Sequence, residues 1–286
     1  MNLRTSERKQ AKIKMALQAP SGAGKTYSAL LLAFGITNDW NKVAVIDTEN
    51  GSADLYAHLG SYNVLSMKLP YSPESYIEAI EICEKAGIEV IIIDSISHCW
   101  DYLLDFHASL TGNSFTNWAK VTPRQKAFID KILQSSAHII CAIRVKQDYV
   151  LNQVDGKYIP EKVGLKSIQK DGLEYEFAIV LDIDIKHNAT SSKDRTGLFS
   201  DKPAFKITID TGKKIKEWCN SVTTEDEIKN KINECNTIDD LVYLYKKYPT
   251  WYEKLHLDFN KRKQDLTVKQ QLSNPQNFSK NGITNS

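Results

Sequence analysis

Ala19-Pro-Ser-Gly-Ala-Gly-Lys-Thr26 lies between an apolar run and a segment rich in helix formers, and it is the most informative stretch of the chain. The run Ile13-Lys-Met-Ala-Leu-Gln18 precedes it, and Tyr27-Ser-Ala-Leu-Leu-Leu-Ala33 follows it. A strand, a loop of small residues ending in Lys-Thr, and then a helix form the context that a phosphate-binding P-loop requires. The first glycine of the usual pattern is alanine here, and Gly22 and Gly24 supply the permissive backbone instead.

The chemistry of this loop predicts a nucleotide with a metal ion. Its backbone N–H groups are expected to hold phosphate oxygens at the positive end of the following helix. Lys25 is expected to reach the β- and γ-phosphates, and the Thr26 hydroxyl is expected to bind Mg²⁺. We therefore expect ATP and Mg²⁺ as cofactors. The expected nucleotide-binding residues are Pro20, Ser21, Gly22, Ala23, Gly24, Lys25, Thr26 and Tyr27.

The composition is that of an ordinary globular protein, with 42% hydrophobic residues, 25% charged residues and a formal net charge of +2 over 286 residues. A near-neutral total neither requires nor excludes nucleic acid, so any such contact must come from a local patch. The 5 cysteines are odd in number and show no C-x-x-C spacing, which favours neither a disulfide framework nor zinc. No apolar segment reaches the roughly 18 residues of a membrane span, and the N-terminus lacks the core of a signal peptide. We expect a cytoplasmic protein without membrane contact.

Strands alternate with helices along most of the chain. The patterns predict strands at 13–19, 41–47, 62–66, 87–95, 137–143, 175–185 and 204–209. They predict helices after the P-loop to about residue 35 and at 72–86, 100–110 and 122–135, the last opened by a capping box at Thr122-Pro-Arg-Gln125. The segment 145–172 reads as long and turn-rich, with a hairpin at Asp155-Gly156. The fold class is therefore α/β, a mostly parallel sheet with helices on both faces.

The chain is expected to have four regions. A basic N-terminal arm spans 1–12, the nucleotide-binding core spans 13–220, a small helical appendage spans 221–270, and a disordered polar tail spans 271–286. Capping boxes at 224–227 and 237–240 begin two helices of the appendage, and a third is expected from 251 to about 266.

Two acidic residues follow apolar strands and are candidates for chemistry. Asp94 ends the most strand-like run of the chain, which is the Walker B arrangement, and is expected to hold Mg²⁺ through water opposite Thr26. The residue after it is Ser95, so it supplies no carboxylate to activate water. Glu49 follows another strand, and the carboxyl ends of parallel strands converge, so Glu49 can orient or deprotonate a water in line with the γ-phosphate. Asp47 can instead be a helix or turn partner, and we favour Glu49 as catalytic.

With these residues the chain resembles RecA-like ATPases. Val45-Ile-Asp-Thr-Glu-Asn-Gly51 is similar to their strand-plus-glutamate motif, and Ile91-Ile-Ile-Asp-Ser95 is similar to their Walker B motif. More narrowly, it resembles phage-encoded RecA-fold ATPases, including the Sak-four type of single-strand annealing protein. That likeness rests on the P-loop, Ile93-Asp-Ser-Ile-Ser-His98, Val163-Gly-Leu-Lys166 and His187-Asn-Ala-Thr-Ser-Ser-Lys-Asp-Arg-Thr-Gly197, and it covers about residues 11–220.

The resemblance implies an ATP-hydrolysing protein that acts on single-stranded DNA in phage-type recombination, annealing or repair. It implies a phage- or prophage-encoded protein working in the cytoplasm of a bacterial host. The implied partners are single-stranded DNA, a single-strand-binding protein and further copies of the chain in a ring or filament.

Lys193-Asp-Arg195-Thr-Gly197 is the stretch that bears on assembly. In RecA-like rings and filaments, similarly placed Lys and Arg residues reach the γ-phosphate of the neighbouring subunit, and the Lys-x-Arg-x-Gly form is similar to the finger of DnaB-type helicases and KaiC. A guanidinium offers a rigid two-pronged fork to developing phosphate charge. The resemblance thus implies that Lys193 and Arg195 act catalytically in trans. A solvated basic turn before the strand 204–209 is the alternative.

The strand at 137–143 is followed by a candidate phosphate sensor and a candidate DNA surface. Either Arg144 or Gln147 fits the sensor of the γ-phosphate. Beyond them basic residues outnumber acidic ones and tyrosines are interleaved, as on surfaces that bind phosphates and stack bases. A solvated charged loop is the alternative, and the loop 111–118 with Phe115 and Trp118 is a second, weaker candidate. The DNA-binding candidates are Lys146, Tyr149, Lys157, Tyr158, Lys162 and Lys166.

Two other functions are compatible with a P-loop. A small-molecule kinase is expected to carry an arginine-rich lid, and the arginines here are sparse and scattered. A nucleotide-gated regulatory module without DNA does not need a positioned base such as Glu49.

Overall fold

The computed structural model describes residues 11–154, 157–220 and 225–272, without the side chains of 147–165, 250, 271 and 272. The chain divides into two compact units, Met1–Ser221 and Val222–Ser286. Most of the expected basic arm and of the expected tail lies outside the described residues. Within the described ranges, no helix is long and apolar enough to cross a membrane.

The first unit is built on a mixed sheet. Its strands are β1 (Lys14–Ala19), β2 (Val43–Asp47), β3 (Asn63–Ser66), β4 (Val90–Asp94), β5 (His138–Val154), β6 (Lys157–Ser167), β7 (Ile179–Ile183) and β8 (Ala189–Asp194). The strand order is β3-β2-β4-β5-β1-β7-β8, and β6 pairs with β5. The β5–β6 and β7–β8 pairs are antiparallel, and the other pairs are parallel. The predicted fold class is confirmed.

Helices cover both faces of this sheet, as predicted. They are α1 (Lys25–Thr37), α2 (Pro73–Lys85), α3 (Ser97–Ser109), α4 (Ser114–Gln134) and α5 (Ile209–Asn220). Alternate residues of β4 point to opposite faces of the sheet. Val90 and Ile92 belong to the core shared with α1 and α5. Ile91 and Ile93 belong to the core shared with α2, α3 and α4. Strands buried on both faces in this way explain the continuous apolar runs in the sequence.

Two glycines set the approach of α5 to α1. A Cβ atom built on Gly35 lies 2.1 Å from the carbonyl oxygen of Ile209, and one built on Gly212 lies 2.3 Å from that of Leu32. Neither helix has room for a side chain at the crossing. Larger residues there have to separate the two helices.

The prediction of a strand at 204–209 is wrong. Phe205 makes only an isolated antiparallel bridge to Ala189, and Ile209 already begins α5. The sheet edge is occupied instead by β8, whose sequence Ala-Thr-Ser-Ser-Lys-Asp buries only Ala189. A polar edge strand of this kind lacks the apolar alternation that marks a strand in sequence.

The helix predicted to begin at Thr122 begins eight residues earlier, so the loop predicted at 111–118 is largely helical. Asn113 is its N-cap and accepts a hydrogen bond from the Phe115 backbone N–H at 2.8 Å. The helix continues through Pro123, because one buried stripe runs past it; the stripe comprises Asn117, Val121, Gln125, Phe128 and Ile132. Burial at helical spacing outweighs the single hydrogen bond that proline removes.

The hairpin that we predicted within 145–172 is confirmed, although the segment is a pair of long strands rather than a turn-rich loop. Strand β5 runs on to Val154 and pairs with β6, so that Lys146 lies opposite Lys166 and Val154 opposite Lys157. The predicted turn residues Asp155 and Gly156 lie outside the described residues. The result is a long two-stranded ribbon, formed by β6 and the part of β5 that follows Arg144.

The second unit is helical. It contains α6 (Glu225–Glu234), α7 (Ile238–Lys247), α8 (Pro249–Lys254) and α9 (His256–Leu272) around a core that includes Ile228, Ile232, Leu241, Leu244 and Phe259. The capping box predicted at 237–240 is confirmed, whereas the one at 224–227 rests partly on Thr224, which lies outside the described residues. The predicted helix 251–266 is in fact two helices that meet at Leu255.

One buried histidine makes the stability of the first unit depend on pH. His138 begins β5 with 9% of its surface exposed, and its Nδ1 accepts a hydrogen bond from the Ile13 backbone N–H at 3.1 Å. Burial lowers the pKa of His138 to about 3, helped by the charges of Lys12 and Lys14.

We expect the protein to lose stability as the pH falls from 6.5 towards 3, because the unfolded histidine takes up a proton there and the folded one does not. At pH 4.5 the loss from this group is about 2–3 kcal/mol. His138→Asn keeps an acceptor for Ile13 but does not titrate. Urea unfolding of both proteins across this range should show a steeper loss in the wild type, and parallel curves would contradict this assignment.

Candidate nucleotide-binding site

A cavity of about 720 Å³ opens at the carboxyl ends of the central strands. It brings together the P-loop after β1, Glu49 after β2, Asp94 at the end of β4 and Arg144 within β5. The remaining lining residues are Ser21, Gly22, Gly24, Lys25, Thr26, Tyr27, Ser28, Leu31, Ser52, Tyr56, His187, Lys206, Ile207 and Thr208. Of the expected nucleotide-binding residues, Pro20 and Ala23 are not among the lining residues, and the Ala23 side chain is buried.

The P-loop turns on two glycines in the left-handed region. Gly22 and Gly24 have φ values of +79° and +85°, a conformation that residues with a Cβ rarely adopt. Gly24 is the N-cap of α1 and carries no side chain to bond the first-turn N–H groups. Those N–H groups and the helix dipole together favour an anion at this point of the cavity.

The side chain of Lys25, the first residue of α1, folds back onto the start of the P-loop. Its Nζ donates to the carbonyl oxygens of Ala19 and Pro20, both at 3.0 Å. Burial lowers the pKa of Lys25, while the carboxylates of Asp94 and Glu49 act in the opposite direction. A largely buried ammonium that donates to carbonyl oxygens has a strong electrostatic preference for a phosphate.

Thr26 and Asp94 form the candidate metal site. The Thr26 hydroxyl donates to Asp94 Oδ2 at 2.5 Å, and Asp94 is 2% exposed. Burial raises the pKa of Asp94, and the hydrogen bond from Thr26 opposes that rise. Among the described residues, no group of three or more His, Cys, Asp or Glu side chains could hold a metal ion. The protein therefore offers a Mg²⁺ ion two hard oxygen ligands here, and phosphate and water must supply the others.

Asp47 and Thr48 fix the loop that carries Glu49. Asp47 Oδ1 accepts a hydrogen bond from the Glu49 backbone N–H at 2.6 Å, and Oδ2 accepts one from Ala53 at 3.4 Å. The Thr48 hydroxyl oxygen accepts from the Ser95 backbone N–H at 2.9 Å. Asp47 thus has the geometry of a turn partner, and Glu49 is the acidic side chain of this loop that reaches the cavity.

Glu49 is paired with Arg144. The guanidinium donates from Nε to Oε1 at 2.8 Å and from Nη2 to Oε2, so both carboxylate oxygens are engaged. Of the two sensor candidates, Arg144 lines the cavity, and the side chain of Gln147 lies outside the described residues. The Arg144 guanidinium therefore neutralises the charge of the Glu49 carboxylate in this structure.

Lys193 and Arg195 do not line the cavity of their own chain. Lys193 lies opposite Val180 on β8, and the strand continues towards the end of the sheet away from the P-loop. Both side chains donate to the carbonyl oxygen of Tyr175, Arg195 at 3.0 Å. Burial lowers the pKa of Lys193.

Several lining residues escaped the sequence analysis. His187 lies beside the P-loop with its Nδ1 3.0 Å from the Ala23 carbonyl oxygen, and Tyr56 packs against Tyr27 with ring centroids 5.9 Å apart. Lys206 reaches the cavity from the loop before α5. His187 stands in the stretch that carries the family resemblance, but nothing in its spacing connects it to the P-loop.

The DNA-binding candidates fall on the β5–β6 ribbon. Lys146 and Lys166 are exposed and pair directly across the ladder. The side chains of Tyr149, Lys157, Tyr158 and Lys162 lie outside the described ones. Of the second candidate pair, Phe115 is 86% exposed and Trp118 is partly buried on α4.

Comparison with protein-family models matches residues 11–213 to a family described as AAA domain. A search of the curated proteins finds no match.

Proposed function

The chain belongs to the AAA domain family, and from that membership we propose that it is a Mg²⁺-dependent, RecA-like ATPase that acts on single-stranded DNA. Family membership supports nucleotide binding and ATPase chemistry in general. The observation that carries the proposal further is the meeting of Lys25, Thr26, Asp94 and Glu49 in one cavity.

In the proposed hydrolysis of ATP, different residues of the chain bind the phosphates, hold the metal ion and accept the proton. The first-turn N–H groups of α1 and the ammonium of Lys25 bind and orient the phosphates. Thr26 and Asp94 would hold Mg²⁺, which would supply positive charge that stabilises the charge developing in the reaction. Glu49 accepts the proton of the water whose oxygen bonds to the γ-phosphorus as the bond to the bridging oxygen breaks.

Arg144 is paired with Glu49 in this structure and can change its partner when ATP binds. A γ-phosphate in the cavity competes with Glu49 for the guanidinium, because both are oxyanions that accept two parallel hydrogen bonds. Transfer of Arg144 to the phosphate frees the carboxylate of Glu49 and stabilises the charge that develops on the phosphate. This gives Arg144 the sensor role.

Assembly into a ring or filament is the second part of the proposal. The exposed Arg195 lies away from its own cavity, and its guanidinium contacts a carbonyl oxygen rather than a carboxylate. The guanidinium can readily exchange this contact for the γ-phosphate of an ATP molecule that is bound to a neighbouring chain. Lys193 and Arg195 would then complete the neighbour's site.

The biological setting follows from the resemblance to phage-encoded annealing ATPases. We place the protein in the cytoplasm of a bacterial host, in recombination, annealing or repair of single-stranded DNA. A single-strand-binding protein is the proposed further partner.

The proposal is tested by ATP hydrolysis with and without a single-stranded oligonucleotide, and by light scattering of the same samples. We expect the oligonucleotide to raise the hydrolysis rate, and ATP with Mg²⁺ to give particles heavier than the 32.4 kDa monomer. The same oligonucleotide annealed to its complement is the control. Hydrolysis indifferent to the oligonucleotide, together with no binding of it, would overturn the DNA assignment.

A further inference from the structure

One hydrogen bond joins the turn between β7 and β8 to the P-loop. The side chain of His187 lies in that turn, and its Nδ1 is 3.0 Å from the Ala23 carbonyl oxygen. Because a carbonyl oxygen can only accept, the ring nitrogen must carry the proton and donate it. The neutral Nδ1–H tautomer and the imidazolium both satisfy this contact. It connects two residues that lie 164 positions apart in the chain.

The turn that carries His187 is held by its own hydrogen bonds. Asp184 Oδ1 accepts from the backbone N–H groups of Lys186 and Asn188, both at 2.8 Å, and Oδ2 accepts from the Asn188 side-chain amide at 3.0 Å. The Asp184 carbonyl oxygen accepts from the His187 N–H at 2.9 Å. Lys206 donates to the Lys186 carbonyl oxygen, so the loop before α5 supports the same turn. The backbone of His187, at a φ of +63°, is therefore fixed beside the P-loop.

The contact acts on the peptide that joins Ala23 to Gly24. In a trans peptide the C=O and the following N–H point in opposite directions. A hydrogen bond from His187 to the Ala23 oxygen therefore turns the Gly24 N–H away from the imidazole ring. Among the hydrogen bonds of the described residues, none is donated by that N–H. The Gly24 N–H is thus available to a phosphate oxygen.

Steric contacts alone do not fix the plane of this peptide. Rotation of the plane changes φ of Gly24, and glycine, here at +85°, tolerates both signs of φ. A Cβ atom built on Gly24 would lie 3.3 Å from His187 Nδ1, so the ring packs closely beside the glycine. The hydrogen bond to the carbonyl oxygen also polarises the amide and strengthens its N–H as a donor.

We propose that His187 is a positioning residue of the P-loop, which holds the Gly24 N–H in the direction in which it binds a phosphate oxygen of the nucleotide. The inference rests on the proposed function and adds a residue that lies outside the P-loop and the Walker B strand. His187 acts through the peptide 23–24. P-loop N–H groups hold phosphates that ATP and ADP share, so the effect falls on binding of both nucleotides.

The test measures the affinity of the full chain for fluorescent ATP and ADP analogues, together with KM and kcat for ATP hydrolysis. His187→Gly removes the donor and fits the positive φ without strain. Because one solvent-exposed hydrogen bond is lost, both nucleotides should bind about three- to tenfold more weakly. KM should rise by a similar factor, and kcat should stay within about twofold of the wild type.

His187→Asn tests whether the donor is the cause. Asparagine keeps a side-chain N–H and tolerates the same backbone conformation, so it should restore most of the affinity. His187→Ala is a second variant without the donor and should bind both nucleotides as weakly as His187→Gly. Ile185→Ala is the matched control, because Ile185 lies in the same turn, is 75% exposed and does not line the nucleotide cavity. It should bind as the wild type does.

Urea unfolding of each variant ensures that affinities are compared between folded proteins. Wild-type affinity in a folded variant without the donor would overturn the inference and leave the proposed function intact. A loss of affinity that His187→Asn does not restore, or a fall in kcat without a change in affinity, would also overturn it. If the wild type binds neither nucleotide, the proposed function fails and this inference fails with it.

Discussion

Replacing Glu49 by glutamine is expected to lower the rate of ATP hydrolysis by about 100-fold or more while ATP still binds. The amide has nearly the shape of the carboxylate, but it cannot take the proton of the attacking water. The phosphate-binding groups, Lys25 and the first turn of α1, are not altered. Binding of a fluorescent ATP analogue and release of phosphate, measured on one preparation, separate the two effects.

Asp54→Asn is the matched control for that substitution. Asp54 is an exposed carboxylate in the segment after Glu49, so the variant removes the same charge without touching the cavity. It should hydrolyse ATP at the wild-type rate. If Glu49→Gln also kept the wild-type rate, another group would have to activate the water.

Replacing Arg195 by alanine is expected to lower hydrolysis by about 1,000-fold in the assembled protein, the range found for arginine fingers. The reason is its position, because Arg195 lies outside the cavity of its own chain and can act only on a neighbour. Each chain should still bind ATP, since its P-loop, Thr26 and Asp94 are intact. The measurement is phosphate release under conditions in which light scattering shows particles heavier than a monomer.

Lys202→Ala is the control for the loss of a cation in this region. Lys202 is exposed, and its ammonium contacts only the Leu198 carbonyl oxygen among the contacts described for it. This variant should keep full activity. If Arg195→Ala changed the hydrolysis rate of the assembled protein only slightly, the role of Arg195 in trans would be contradicted. The stretch 193–197 would then be a solvated basic turn.

The P-loop and the sheet were predictable because their signals are local. Strand, glycine loop and helix follow one another within residues 13–37, and the apolar runs of β2 and β4 mark parallel strands covered on both faces. The convergence of Glu49 and Asp94 on the P-loop follows from the parallel order of the strands alone. Those features need no knowledge of distant contacts.

The features that were missed depend on distant contacts. Strand β8 is polar and takes its place from its pairing with β7. Helix α4 passes Pro123 because Val121 and Phe128 are buried on the same side of it. The ion pair between Arg144 and Glu49 exists only once the chain is folded.

The central claim is that the cavity is one half of a catalytic site that two chains share. Its most direct test mixes equal amounts of Glu49→Gln and Arg195→Ala protein under assembling conditions and measures ATP hydrolysis. A shared site is complete when an Arg195→Ala chain supplies Glu49 and its Glu49→Gln neighbour supplies Arg195. In a random mixture this pairing occurs at about a quarter of head-to-tail interfaces. We predict a rate well above that of either variant alone. A co-assembled mixture no faster than the average of its two components would contradict the claim.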